Sequence, residues 1–179
     1  MSSTQVVQRY AKALFDSAQK ANSIQDCATG AEALQGVFQG EVLDVFHNPA
    51  YSEQERGALI DTLTQKVTLP KELENLLRVL NENGRFLLVG DVFKAFQALA
   101  DEALNISRAE IIYAHTLSEA ELHEFQTLLG ETLGRKVILQ GRQDPALKAG
   151  YVIKLGNTVI DASLRMRLAS LKESLSQGA

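Results

Sequence analysis

The sequence predicts an α+β protein in two parts: an N-terminal six-helix bundle over residues 1–105, then a small C-terminal domain, 106–179, with a mixed β-sheet, a hairpin and two helices. Three observations carry this. Apolar residues recur at helical spacing from Val6 to about Leu104, the pattern turns to alternation between Asn105 and Arg108, and two β-branched runs meet over Gly156-Asn157.

In the first part, breaks at Asn48-Pro49, Leu69-Pro70 and Asn83-Gly84 cut the helical pattern into short helices. The first helix presents Val7, Tyr10, Ala11, Leu14 and Ala18 at steps of three and four, and a later one presents Leu73, Leu76, Leu77 and Leu80. Ser52 with Glu55 forms a capping-box pair that marks a helix start. After Gly84 a longer helix is expected through Phe86, Val89, Val92, Phe93, Phe96, Leu99 and Ala103.

In the second part, Glu110-Ile111-Ile112-Tyr113-Ala114-His115 reads as a strand. A helix follows from Ser118, with Glu121 completing a second capping box, to Leu133, where Gly134 stops it. Lys136-Val137-Ile138-Leu139 adds a strand, and Asp144-Pro145 marks a turn because the residue before proline is pushed out of the helical region. Ala149-Gly150 permits close backbone approach at the next strand's start. Val152–Leu155 and Thr158–Asp161 then make a hairpin, Gly156 supplying the positive φ of a type II′ turn. Ser163 can cap a last helix whose Leu164, Leu168, Leu171 and Leu175 recur at helical spacing.

Composition narrows the function. With 45% hydrophobic residues among 179, the chain can build a proper core. Its 18 basic and 22 acidic residues give a net charge of −4 without a basic block, so nucleic acid is not expected as a partner. No apolar run approaches the roughly 20 residues that span a bilayer, and Met1-Ser2-Ser3-Thr4 does not begin a secretory leader. Cys27 stands alone and reads as a small core residue.

Catalytic chemistry has no foothold in the sequence. His47, His115 and His123 fall on three predicted elements and lack ligand partners at metal spacing. Gly30 and Gly36 lie in a helical pattern and are not followed by Lys-Ser or Lys-Thr, so no phosphate loop is formed. Asp101-Glu102 and Glu119 with Glu121 fall on exposed helix faces or first turns. No catalytic, cofactor-binding or metal residues are therefore expected. Arg165 and Arg167 could meet an anionic group or a partner, and Asp161 could instead pair with Arg165 and fix the hairpin on the helix.

Several segments together carry a resemblance: Arg9-Tyr10-Ala11-Lys12-Ala13-Leu14-Phe15, Asn81-Glu82-Asn83-Gly84-Arg85, Gly134-Arg135-Lys136-Val137, Ala149-Gly150, Gly156-Asn157-Thr158-Val159-Ile160-Asp161 and Arg165-Met166-Arg167-Leu168. In kind and order they resemble the delta subunit family of F-type ATP synthases, which includes the mitochondrial oligomycin-sensitivity-conferring protein. The family usually shows glycine where Ala162 and Met166 stand, and often where Ala149 stands.

The resemblance implies a non-catalytic stator subunit that links the alpha/beta catalytic head to the b-subunit peripheral stalk, so that the head does not turn with the central shaft. It implies that the helical domain grips the N-terminal helix of an alpha subunit between its first and fifth helices. The matching residues here are Tyr10, Ala13, Leu14, Leu76, Val79 and Leu80. It also implies that the C-terminal domain holds the C-terminal ends of the b subunits, with Arg165 and Arg167 as candidate contacts. The expected place is the cytoplasmic face of a bacterial inner membrane, reached only through the complex. A different class, a helical adaptor unconnected with ATP synthase, would fit composition but gives no reason for the ordered matches from Gly134 to Leu168.

Overall fold

The computed structural model describes residues 3–38, 41–48, 51–66, 69–115, 117–156 and 158–177. Met1, Ser2, Pro49 and Asn157, singled out above, lie outside these, as do the side chains of Ser3, His47, Leu171 and Leu175. The chain divides into two compact units, residues 1–104 and 105–179, and its architecture is α+β.

The first unit holds α1 (Ser3–Lys20), α2 (Ile24–Val37), α3 (Glu41–His47), α4 (Glu53–Lys66), α5 (Lys71–Glu82) and α6 (Val89–Ala103). A 3₁₀ turn, Phe86–Leu88, precedes α6. The helix expected to start near Phe86 thus begins as a tighter turn, with the Leu88 amide donating to the Arg85 carbonyl three residues back.

The expected apolar stripes converge on one core. Ala11, Leu14 and Ala18 of α1, Leu34 of α2, Ile60 of α4, Leu73, Leu77 and Leu80 of α5, and Phe93 and Phe96 of α6 are all buried. Each large side chain removed from water contributes about 1.5–3 kcal/mol, so this cluster dominates the unit's stability. At one end Phe46 stacks on Phe86 with centroids 3.7 Å apart, and Phe38 meets both edge-on. Close packing of α2 on α5 requires Gly30, where a Cβ would lie 3.0 Å from Leu73 Cδ2.

The second unit contains β1 (Ile106–Tyr113), α7 (Glu119–Leu133), β2 (Lys136–Gln143), β3 (Tyr151–Leu155), β4 (Thr158–Asp161) and α8 (Leu164–Gln177). The strands form one mixed sheet in the order β2-β1-β3-β4. β1 and β2 run parallel, joined through α7, and the other two pairings are antiparallel. A parallel pair needs a long crossover, which α7 supplies.

Local chemistry sets these boundaries. The Ser118 hydroxyl accepts from the Glu121 amide while the Glu121 carboxylate accepts from Ser118, and Gly134 ends α7 at φ 62°. Gly150 is required twice: its φ is 89°, and a Cβ there would sit 2.5 Å from the Ala162 carbonyl oxygen. The β-hairpin forms with Gly156 at φ 54°, while the turn type rests on Asn157, outside the described residues.

Alternation divides the sheet into two faces. Ala109, Ile111, Val137 and Ile153 point to the side covered by Leu122, Phe125 and Leu129 of α7. Arg108, Glu110, Ile138, Arg142, Val152, Lys154 and Val159 share the opposite side.

Candidate functional site

The first candidate surface lies where α1 and α5 run side by side. Two polar contacts set their register: Ser23 Oγ donates to Glu72 Oε2 at 3.4 Å, and Arg85 Nη1 donates to Tyr10 Oη at 3.2 Å. As the first residue number rises from 10 to 23 the other falls from 85 to 72, so the helices are antiparallel.

The six residues matched to a docking groove separate into two groups. Leu14, Leu76 and Leu80 belong to the core, at 3%, 7% and 0% exposure. Tyr10 is half-buried, Ala13 is exposed, and Val79 is 40% exposed. Tyr10, Ala13 and Val79 are thus the side chains that a docked element could touch, and the leucines support them from beneath. Asn83 Nδ2 donates to the Val79 carbonyl at 2.7 Å, a second bond to a carbonyl that also accepts from the Asn83 backbone amide.

Arg85 belongs to this surface although helical periodicity does not select it. α5 ends in a Schellman motif: the Arg85 amide donates to the Leu80 carbonyl and the Gly84 amide to the Asn81 carbonyl. Gly84 takes φ 63°, turning the chain back so that the Arg85 guanidinium lies 6.0 Å from the centre of the Tyr10 ring. The Asn83-Gly84 pair was the signal for that turn. Its meeting with Tyr10 had none, because the two residues are 75 apart in sequence.

In the second unit, Arg165 and Arg167 both project from the exposed start of α8. Only Arg165 lines a groove of about 650 Å³, with Leu147, Val152, Asp161, Leu164 and Leu168 among the other walls. The anticipated Asp161–Arg165 pair gives way to a helix-start arrangement. The Ser163 amide donates to Asp161 Oδ1 at 2.9 Å, and Ser163 Oγ accepts from the Met166 amide. Asp161 is held below the usual carboxylate range by Ser163, with a smaller Coulombic pull from Arg165. Leu164, Met166 and Leu168 are 45%, 53% and 57% exposed, an apolar display for a single chain.

Cys27 is fully buried, and burial pushes its thiol up from the ordinary value. Among the described residues no group of three or more His, Cys, Asp or Glu is placed to hold a metal ion. No helix among them is long and apolar enough to cross a membrane.

A family model described as the ATP synthase delta (OSCP) subunit matches residues 6–175. The ATP synthase subunit delta of Solidesulfovibrio magneticus is 33% identical over 177 residues, 97% of each chain. That of Mesorhizobium japonicum is 31% identical over 174 residues, 96% of this chain and 94% of the relative. A chain in the cryo-EM structure of the Toxoplasma gondii mitochondrial ATP synthase hexamer has a similar fold, with a TM-score of 0.69 at 20% identity, covering 94% of this chain and 96% of that one. These matches define a non-catalytic structural subunit of ATP synthase. Specifically, the chain belongs to the ATP synthase delta (OSCP) subunit family.

Proposed function

We propose that this chain is the stator link of an F-type ATP synthase, tying the catalytic head to the peripheral stalk. In this reading the six helices of the first unit act as one bundle that holds the N-terminal helix of an alpha subunit, and the second unit meets the C-terminal ends of the b subunits. The protein works at the cytoplasmic face of a bacterial inner membrane, held there by its partners.

The observation that supports this reading best is Val79. It is a β-branched apolar side chain 40% exposed on α5, the helix that runs along α1, where Ala13 is exposed and Tyr10 half-buried. A small residue admits a partner backbone closely, and tyrosine offers a broad apolar face with a polar tip. Resisting shaft torque needs slow dissociation, and nanomolar affinity corresponds to about −12 kcal/mol. A few buried anchors of roughly 1.5–3 kcal/mol each can supply much of it.

The test is a calorimetric titration of the chain with a synthetic peptide of the alpha subunit's N-terminal helix. Saturable submicromolar binding with a negative heat-capacity change is the expected outcome. A folded chain that binds none of it would overturn the head-docking reading.

A further inference from the structure

α4 has a weaker hold on the first unit than its neighbours. Among its described side chains Ile60 and Thr64 are buried, whereas α2 and α6 each bury five residues. The Thr64 hydroxyl stays within its own helix, donating to the Asp61 carbonyl at 3.1 Å. The start of α4 is also closed locally. The Ser52 amide donates to Glu55 Oε2 at 2.8 Å, the Glu55 amide to Ser52 Oγ at 3.3 Å, and Arg56 Nη2 to the Tyr51 carbonyl at 2.8 Å. None of these bonds reaches α5.

Gly57 weakens the helix from within. A Cβ there would come no closer than 4.0 Å to Asn81 Nδ2, an ordinary contact, so packing does not require glycine at this position. Glycine in a helix interior loses more backbone freedom on folding than alanine does, and α4 is less stable for it.

Two polar ties cross from α5. Arg78 Nη2 donates to Asp61 Oδ1 at 3.1 Å, but the two side chains are 55% and 50% exposed, so water and salt weaken the pair. Asn81 Nδ2 donates to the Glu53 carbonyl at 3.2 Å. Asn81 is only 7% exposed, and its Oδ1 is buried with no donor among the described residues. An acceptor sealed from water without a donor is unfavourable. Because the carboxamide lies against α4, that penalty lasts only while α4 is seated, and water removes it once α4 lifts. One atom of Asn81 ties α4 down while the other favours its release.

We infer that α4 is a releasable strap on α5: it lifts as a unit while α1, α2, α5 and α6 remain packed, and the buried carboxamide of Asn81 sets how readily it does so. A helix of 14 residues is marginal in water on its own, so the lifted strap melts and its amides exchange with solvent. Release leaves α5 seated on α1 and α2 and bares the flank that carries Arg78 and Asn81, three residues apart. The helix that offers Val79 thereby gains a freedom that the rest of the bundle lacks.

Native-state hydrogen exchange of the full chain tests the strap by comparing α4 amides with those of α1 and α6. In the unsubstituted chain α4 is expected to be at least about tenfold less protected. Ala11→Gly, in the buried stripe of α1, should lower protection in α1 and α6 and leave α4 unchanged, because α4 opens without them. Gly57→Ala should raise α4 protection about fivefold. Asn81→Leu, which keeps the branched outline and removes the orphaned acceptor, should raise it by roughly fivefold or more. Trypsin cleavage after Arg56 should slow in step in both of these variants. An α4 as protected as α1 and α6, falling with them in Ala11→Gly, would show that it opens only with the whole bundle and would overturn the strap. Lower α4 protection in Asn81→Leu would make the carboxamide a net tie and overturn the role assigned to it.

Discussion

The guanidinium of Arg85 donates to the Tyr10 hydroxyl at 3.2 Å and lies over the same ring, joining the residue just past the α5 cap to the middle of α1. Its stabilising effect is small, since exposed cation–π contacts contribute about 0.5–1 kcal/mol. The contact's larger consequence is to restrict where the ring can point. Arg85→Ala is therefore expected to move the thermal midpoint by roughly 5 °C or less, and to weaken binding of the alpha-subunit helix several-fold by calorimetry. Undiminished affinity would remove ring orientation from the account.

Val79→Asp separates docking from folding. The side chain is already 40% exposed, so the free chain can solvate the new carboxylate, and stability should change by about 0.5 kcal/mol or less. A docked helix would desolvate that charge without compensation. The expected result is at least about a tenfold loss of affinity for the alpha-subunit peptide with an unchanged melting curve. A variant that binds normally would exclude Val79 from the contact.

Two glycines offer a matched comparison. Gly150 and Gly156 both have positive φ, but a Cβ at Gly150 would run into Ala162 and Ser163 backbone, whereas one at Gly156 would meet open space. Gly156→Ala should cost about 1 kcal/mol from backbone strain alone, and Gly150→Ala several times that, on the order of 3 kcal/mol. Urea unfolding of the two variants checks the ratio. Equal losses would mean that the chain around Ala162 relaxes freely.

Acid should loosen the fold through its exposed carboxylates. Glu55, Glu110, Glu121 and Asp161 are all held below their ordinary values, by Ser52, Arg142, Ser118 and Ser163 respectively. A depressed folded-state pKa means that the stability is fully present above the unfolded value, near pH 4, and is lost as pH falls through the lower folded values. Urea midpoints should thus be flat above about pH 5 and decline below about pH 4. Glu121→Gln should shallow that decline, and an identical slope would deny the Ser118–Glu121 box a share in it.

Features written in a few neighbouring residues were legible in the sequence. Ser118 with Glu121, Gly134, Gly84 and the β-branched runs around Gly156 each specify a backbone geometry within a handful of residues, and each specified element formed. Helical spacing also identified the α1 and α5 stripes, but it fixes direction to a face and not to a depth. It could not tell that Leu14 and Leu80 sink into the core while Val79 stays at the surface, because that depends on where α4 and α6 lie. Asp161 had two plausible partners in sequence, and the backbone amide of Ser163, two residues on, was the one it took. The Arg85–Tyr10 contact is a product of tertiary arrangement, which no local pattern encodes.

Gly84 has open space around it: a Cβ there would find nothing within 4 Å. A survey of side-chain contacts would rank it among the most dispensable positions in the chain. Yet the handedness of its backbone decides where Arg85 arrives and hence whether Tyr10 acquires its companion. Intolerance to substitution at residue 84 would therefore carry information about a neighbour's destination, a kind of constraint that proximity to any atom cannot reveal.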